Sequence, residues 1–313
     1  MMARFHMRHF LTGTELTSDD LHAVLDRAAA LKLAPRSSQV LDGRTVALIF
    51  QKPSTRTRVS FEAGIVELGG HPMVLRAGDM QLGRGESLRD TARVLGRHVA
   101  AVGVRTHADS ELEGLAAEDQ LPVFNMLTQN AHPCQVLADL LTLREGFGAL
   151  EGLKLVYVGD GNNMARSLYD MGRVAGVEVV LSTPPEFSLD GIESVTDPHE
   201  AVAGANAIYT DVWVSMGEPV ETWGDRIDML LPFQVNSELM RAAGNPRVKF
   251  MHCLPAFHNC ETKVGAEISA QYPYLANNIE VTENVFESPA NIAFEQAENR
   301  MHTIKAVLVA ALS

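Results

Sequence analysis

Paired cysteines, long apolar runs and positive charge are all scarce in this sequence. Its cysteines are Cys134, Cys253 and Cys260, an odd set with no C-x-x-C and no Cys/His ligand spacing. That excludes a disulfide framework or a zinc cluster and fits a reducing compartment. No apolar stretch approaches the ~20 residues needed to cross a bilayer. Arg4, Arg8, Glu15, Asp19 and Asp20 occupy the stretch where a signal peptide would carry its apolar core, so no leader is expected and the cytoplasm is the expected compartment. Lys and Arg total 26 against 39 Asp and Glu, a formal net charge of -13. This argues against nucleic acid or an anionic membrane as partner, and an anionic substrate would have to be drawn in by a local arginine cluster against the overall field. Repeats, low-complexity tracts and coiled-coil heptads are missing as well.

What is present is ordinary globular material. With 46% hydrophobic and 21% charged residues over 313 positions, the chain has enough apolar content for two cores, and its length predicts two domains. Short β-branched runs alternate with helical periodicity throughout, which predicts two Rossmann-like α/β domains with central parallel sheets, joined by helices. Glu145-Gly146-Phe147-Gly148 interrupts a helical pattern and marks the boundary. The first domain is expected over 1–147 and the second over 148–288, and Pro289 opens a long terminal helix.

The chain is organised around Ser54-Thr55-Arg56-Thr57-Arg58. Thr45–Phe50 before it reads as a buried strand; after it Val59, Phe61, Ile65, Val66 and Leu68 recur at helical spacing until Gly69-Gly70. At a strand-to-helix junction the first backbone N–H groups lack helical partners and the helix dipole favours an anion. Hydroxyls and guanidiniums add donors matched to phosphate oxygens. The alternative for the same residues is a Ser/Thr helix cap followed by surface arginines.

Other polar residues fall at comparable places. Thr17 with Asp20 forms a capping box for an opening helix, and Ser87 with Asp90 caps another over Leu88–His98. The loop before that second helix carries Gln81, Arg84 and Glu86, residues that a solvent-facing loop would equally have. Val99–Val104 reads as a strand with Arg105 at its carboxyl end, where open α/β sheets bind ligands. Pro122–Met126 is a further strand, and Pro133 in the first turn of the next helix puts His132 at its start, with Gln135 on the same face. In the second half, Leu153–Val158 leads into Gly159-Asp160-Gly161-Asn162-Asn163-Met164, half of a dinucleotide fingerprint. Its third glycine is replaced by Met164 and no acid ends the strand Val177–Leu181, so nicotinamide binding is rejected. Ala205–Thr210 ends in Asp211, and Val248–Met251 ends in His252-Cys253-Leu254-Pro255; alone, Cys253 reads as a buried structural residue. Ile279–Val281 reads as a last short strand.

Together these segments resemble the aspartate/ornithine carbamoyltransferase family. The resemblance is carried by Phe50-x-Lys52-x-Ser54-Thr55-Arg56-Thr57-Arg58, His132-Pro133-Cys134-Gln135, Asp211-x-x-x-Ser215-Met216-Gly217, His252-Cys253-Leu254-Pro255 and Glu298-Asn299-Arg300, and it covers essentially the whole chain. The Ser-Met-Gly and His-Cys-Leu-Pro motifs are similar to those of the ornithine branch of the family. By position, the resemblance implies that Ser54, Thr55, Arg56 and Thr57 hold the phosphate of carbamoyl phosphate, and that Arg105, His132 and Gln135 complete the pocket at its carbonyl and amide. It implies that Cys253 and Leu254 lie beside the reacting centre, and that the terminal helix, 289–313, packs back on the first domain with Arg300 reaching the pocket. Asn163, Asp211, Ser215 and Met216 are implied to bind L-ornithine. Gln81 matches a residue donated across the interface of a homotrimer with shared sites. Gln51, Gln129-Asn130 and Arg166 depart from the common family pattern.

The expected reaction is attack by the uncharged side-chain amine of ornithine on the carbamoyl carbonyl, giving L-citrulline and phosphate, as in arginine biosynthesis, with no cofactor and no metal. Arg56 is the candidate for the leaving group, Thr57, Arg105 and His132 for the oxyanion, and Asp211 with Cys253 for the amine. A related amine such as putrescine or an N-acylated ornithine is the alternative substrate, and a catalytically silent binding subunit is the alternative of another class.

Overall fold

Two four-stranded parallel sheets organise the chain, one in each of two units, so the α/β class read from the sequence holds. The computed structural model describes residues 7–76, 78, 80, 85–214, 223–276 and 278–313. Among these no helix is long and apolar enough to cross a membrane.

The first unit takes in Met1–Gly148 and Ala297–Ser313. It opens with α1 (Ser18–Leu33), whose start is closed by the Thr17/Asp20 capping box and whose buried face is Leu21, Val24, Leu25, Ala28 and Leu31. Then β1 (Thr45–Phe50) is buried from Val46 onward, as a central strand covered on both faces must be. α2 (Arg56–Glu67), β2 (His71–Arg76), α3 (Leu88–Leu95), β3 (Ala101–Arg105), α4 (Asp109–Ala117), β4 (Val123–Leu127) and α5 (Pro133–Phe147) follow. Parallel pairing requires a crossover between strands, and α2, α3 and α4 supply it. The sheet order is β2-β1-β3-β4, so the chain leaves β1 towards one edge and returns on its other side at β3. Phe50 pairs in register with both Arg76 and Arg105, which aligns the carboxyl ends of these strands. The β4 edge is covered by Phe10, whose N–H donates to Val123 O at 2.9 Å and whose carbonyl accepts from Asn125 N at 2.7 Å.

The second unit, Ala149–Gln296, repeats the plan. It contains β5 (Lys154–Val158), α6 (Asn163–Val174), β6 (Glu178–Ser182), α7 (Pro198–Ala201), β7 (Ala207–Thr210), α8 (Trp223–Leu230), α9 (Ser237–Ala242), β8 (Lys249–His252), α10 (Lys263–Gln271) and α11 (Glu283–Phe286). The order β6-β5-β7-β8 has the same reversal, here between β5 and β7. Val156, Val158, Ile208 and Phe250 from its strands pack with Phe233, Val235, Leu239 and Phe286 in one core.

The last helix, α12 (Ala293–Leu312), belongs to the first unit from Ala297 onward. Its Lys305 is fully buried, forms a short ion pair with Glu67 of α2, and donates to Leu31 O at 3.3 Å and Pro35 O at 3.4 Å. A Cβ at Gly64 would stand 3.1 Å from Lys305 Cγ, so the glycine permits this close approach of the two helices.

Three sequence expectations are corrected. Ile279–Val281 forms no strand, because only the single bridge Val235↔Val281 engages it, and Glu280 at its centre is buried. The final helix starts at Ala293 rather than Pro289. The residues between are used in a bridge, Phe250 N donating to Ala290 O at 2.8 Å and Ile292 N to Phe250 O at 3.0 Å, before Asn291 Oδ1 accepts from Ala293 N. α5 runs through Glu145-Gly146-Phe147 and stops only at Gly148, whose φ of 88° suits glycine. The chain's own divisions fall at 148/149 and 296/297.

Because Lys305 is fully buried, Glu67→Ala would strand its charge. Breaking a buried pair costs about 3–5 kcal/mol, and with Glu67 keeping 24% of its side chain exposed a loss of about 2 kcal/mol is expected in urea unfolding. A loss below about 0.5 kcal/mol, the size of a surface pair, would contradict this role.

Candidate active site

In the first unit the reversal between β1 and β3 separates the crossovers on either side of it, and the crevice this leaves at the strand carboxyl ends is where open α/β sheets take ligands. The residues that reach it arrive from four elements. Ser54 and Thr55 lie in the turn after β1, and Arg56 and Thr57 form the first turn of α2. Thr55 occupies the N-cap with helical dihedrals and makes no side-chain capping bond, so the plain helix-cap reading of this motif does not describe it. Arg105 ends β3, and His132 precedes Pro133 at the start of α5, again without a side-chain cap. Arg300 comes from α12 and its Nη1 donates to Thr57 Oγ1 at 3.1 Å, both groups being buried. Gln135, buried one turn into α5, donates Nε2 to Asp139 Oδ1 at 2.6 Å. The structure therefore brings Arg56, Thr57, Arg105, His132 and Arg300 into one neighbourhood of the first unit.

The electrostatics of that neighbourhood are one-sided. His132 is 4% exposed. Burial pushes its imidazole well below the ordinary 6.5, and the positive charges of Arg300, Arg105 and Arg56 push it further the same way. A neutral imidazole surrounded by guanidiniums is an environment short of negative charge. The Nε of Arg300 and the Oε1 of Gln135 are buried with no hydrogen-bond partner among the described residues, which leaves a donor and an acceptor unsatisfied. A ligand carrying both a phosphoryl group and an amide would match these.

In the second unit the reversal between β5 and β7 is lined from the same positions. Gly161 approaches Phe187 O so closely that a Cβ would lie 2.1 Å from it, which explains the glycine in the turn after β5. Asn162 caps α6, its Oδ1 accepting from Met164 N at 2.8 Å and Ala165 N at 3.2 Å, and its Nδ2 donates to Asp211 Oδ2 at 2.9 Å. Asn163 begins α6. Asp211, 8% exposed after β7, accepts from Cys253 Sγ at 3.1 Å and from Val212 N at 2.8 Å. Leu254 holds a left-handed backbone at φ 58°, a conformation a leucine rarely adopts, and its N–H donates to His252 Nδ1 at 2.9 Å. Tyr157 hydroxyl is 3.3 Å from Asn162 Oδ1; burial first, then the charges of Asp211 and Asp160, raise its pKa far above the ordinary value. Asp211, Cys253, Leu254 and Asn162 are thus in one place in this unit.

Among the described residues, two groups have atoms close enough for a metal: Asp211, His252 and Cys253, and His258, Glu283 and Glu287. In the first, Cys253 donates to Asp211 and His252 accepts from Leu254 N–H, so the atoms are engaged with one another as hydrogen-bond partners. In the second, His258 Nδ1 is paired directly with Glu283 and its ring stacks on Phe286 at 3.7 Å between centroids.

Gln81, Ser215 and Met216 lie outside the described residues, as do Arg84 and Gly217. Sequence reading passed over Asp139, and it set Asn162 at the crevice without giving it a binding role. Asn162 lies inside the Gly-Asn-Asn turn that was singled out, and Asp139 stands four residues after Gln135 on the same helical face, so both had a local signal. Arg226, which bonds Asp160 Oδ2 at 2.5 Å from 66 residues away, had none.

Comparisons with known proteins match this chain over essentially its full length. The family model described as aspartate/ornithine carbamoyltransferase, carbamoyl-P binding domain, matches residues 8–145, and its Asp/Orn binding domain counterpart matches residues 151–311. An ornithine carbamoyltransferase of Actinobacillus pleuropneumoniae serotype 5b (strain L20) is 49% identical over 327 aligned positions, covering 98% of each chain. A catabolic ornithine carbamoyltransferase of Pseudomonas putida is 47% identical, covering 100% of this chain and 99% of that one. Among solved structures, the ornithine carbamoyltransferase of Pyrococcus furiosus superposes with a TM-score of 0.87 at 40% identity, covering 98% of this chain and 97% of that chain.

The lowered pKa of His132 has a consequence for stability. Below about 6.5 the unfolded chain protonates this imidazole while the folded chain excludes the proton, so stability falls as pH drops through the ordinary value; above it the group is neutral in both states. His132→Gln should reduce the loss of unfolding free energy between about pH 7 and 5, by at most about 1.4 kcal/mol per pH unit. His9 and His302, also lowered by burial, stay in both proteins and cancel in the comparison. Equal acid-side slopes in urea titrations of the two proteins would contradict a neutral His132.

Proposed function

Since the chain belongs to the aspartate/ornithine carbamoyltransferase family and is a carbamoyl-group transferase, we propose that it transfers the carbamoyl group of carbamoyl phosphate to the side-chain amine of L-ornithine, giving L-citrulline and phosphate. The observation that carries the reading is the convergence of Arg56, Arg105 and Arg300 on a buried neutral imidazole. An acidic chain assembles such a group where a multiply charged anion is to be held.

In this reading the first unit takes carbamoyl phosphate. Ser54, Thr55, Arg56 and Thr57, with the amino end of α2, grip the phosphoryl oxygens; Arg105 and His132 donate to the carbonyl oxygen; Gln135 Oε1 accepts from the carbamoyl NH2; Arg300 supports Thr57 and the phosphate. A neutral imidazole can offer one N–H to the oxygen as negative charge grows there, without itself needing to lose a proton. The second unit takes ornithine, with Asn163 and the amino end of α6 towards its carboxylate, Asp211 towards a cationic nitrogen, and Ser215 and Met216 completing the subsite. The ornithine amine, with an ordinary pKa of about 10.4, must first lose a proton. Its lone pair then forms the C–N bond, the carbonyl π electrons move to oxygen, and collapse of the tetrahedral intermediate expels phosphate with the C–O electron pair while nitrogen sheds its second proton. Cys253, whose thiol already donates to Asp211, serves to orient the amine rather than to attack, and Leu254 fixes the turn that carries it.

A homotrimer with Gln81 contributed to a neighbour's site fits the first unit's surface. Val59 and Val66 on one face of α2 are 61% and 56% exposed, and Met73 on the edge strand β2 is 41% exposed. These apolar side chains are in want of a cover. Run towards citrulline the reaction serves arginine biosynthesis, and run in reverse it serves arginine breakdown; the Pseudomonas putida relative is named as catabolic.

The deciding experiment supplies carbamoyl phosphate with ornithine, putrescine, lysine, N-acetylornithine or aspartate and scores the ureido product. Ornithine should exceed every other amine by at least about a hundredfold in kcat/KM, the discrimination typical of a site whose polar groups are left unpaired by the wrong substrate. The value should climb between about pH 7 and 9 as the free amine grows. Preference for putrescine or N-acetylornithine, or a flat profile, would overturn the reading.

A further inference from the structure

A carboxylate that the proposed reaction does not use ties together the two turns that carry the anion cradle. Gln51 directly follows β1, and Thr106 directly follows β3. Glu111, in the first turn of α4, accepts from Gln51 Nε2 at 2.6 Å. The buried Thr106 hydroxyl makes a short bond to the same carboxylate oxygen and lies 2.9 Å from Gln51 Oε1, so its one proton is shared between them. The backbone repeats the tie, with Gln51 N donating to Arg105 O at 3.0 Å. Gln51 stands three residues before Ser54, and Thr106 is the neighbour of Arg105. The ring therefore joins the turn that leads to Ser54 with the strand end that carries Arg105.

The ring depends on the kind of group at each corner. A side-chain amide can donate to one neighbour and accept from another, whereas a carboxylate only accepts. Gln51 can thus donate to Glu111 while accepting from Thr106. Two carboxylates at the same separation would have one proton to share, and would repel when both ionise. The charged groups on the adjoining turns are Arg105, Lys52, whose Nζ is 3.3 Å from His107 Nδ1, and Asp109, which accepts from Asn130 Nδ2 at 2.6 Å. From α3, Arg89 and Arg93 pair with Glu118 beyond the other end of α4.

We propose that Glu111 is a positioning residue: acting through Gln51 and Thr106, it sets the spacing at which the Ser54–Thr57 turn and Arg105 close on one phosphoryl-bearing ligand. This rests on the reading that those residues hold carbamoyl phosphate.

The test compares the parent, Glu111→Ala, Gln51→Glu and the exchanged pair Gln51→Glu/Glu111→Gln, with carbamoyl phosphate varied at saturating ornithine. Glu111→Ala should raise KM for carbamoyl phosphate about tenfold at every pH, with kcat changing less. Gln51→Glu should match that loss near pH 9, where both carboxylates are ionised, and fall to less than about threefold near pH 6, where they share a proton. The exchanged pair restores one amide and one carboxylate, and should return to within about threefold of the parent throughout. A Gln51→Glu protein that tracks the parent at all pH values, a Glu111→Ala protein with unchanged KM, or an exchanged pair as impaired as Gln51→Glu would each overturn the proposal. Should the parent fail to consume carbamoyl phosphate, the substrate reading falls separately. Calorimetric binding of inorganic phosphate to the same four proteins then decides the positioning role, with the same ordering supporting it and equal affinities overturning it.

Discussion

Holding guanidiniums close together around one imidazole is the constraint on which the first unit is built. Like charges at such range repel, and a protein with a net charge of -13 has no general need for them in one place. Arg56, Arg105 and Arg300 arrive on separate elements, so the surrounding packing must resist their tendency to spread. α12 shows how. It presents Arg300 to Thr57, and five residues further on it buries Lys305 against Glu67 at the other end of α2. Asn299, beside Arg300, accepts from Lys32 at 2.8 Å and donates to Glu145 at 2.8 Å, fastening the same helix to α1 and α5. Both ends of α2, and the helix that delivers the third arginine, are thereby held before any ligand arrives. Preorganised donors of this kind cost no rearrangement when charge develops on a substrate.

The two units use one topological device for two kinds of ligand. In each, the strand order reverses next to the first strand, and the residues after that strand open a helix whose amino end faces the crevice. The first unit lines its crevice with arginines and a neutral histidine, which suits an anion. The second lines its own with Asn162, Asp211 and the Cys253 thiol, which suits a molecule bearing cationic nitrogen. What differs is the side chains on otherwise equivalent turns.

Much of this was legible in the sequence because it is local. Ser54–Arg58, His132-Pro133-Cys134-Gln135 and the strand ending in Arg105 are short segments in which a β-branched run, a turn and a helical period follow one another within a few residues. The strands β1 and β3 to β8 followed from the same signal. What escaped was set by partners distant in the chain. Pro289 carries the usual mark of a helix start, yet Ala290 to Ile292 are claimed by backbone pairing with Phe250 first. Ile279–Val281 has strand composition, but its central Glu280 faces inward to Phe257 N–H and His252, and the chain turns into α11 at once. Lys305 with Glu67, Arg226 with Asp160, and Glu111 with Gln51 are ion pairs or hydrogen bonds between residues with no periodic relation, so no window of sequence contains them.

The central claim is that the guanidiniums act as one anion site, and it is tested most directly by calorimetric titration of inorganic phosphate into the intact protein and into Arg56→Gln, Arg105→Gln and Arg300→Gln. A single site per chain is predicted, with each substitution weakening binding by about tenfold or more, the worth of one charge-assisted hydrogen bond. Phosphate that fails to bind the parent, or that binds all four proteins alike, would contradict the account.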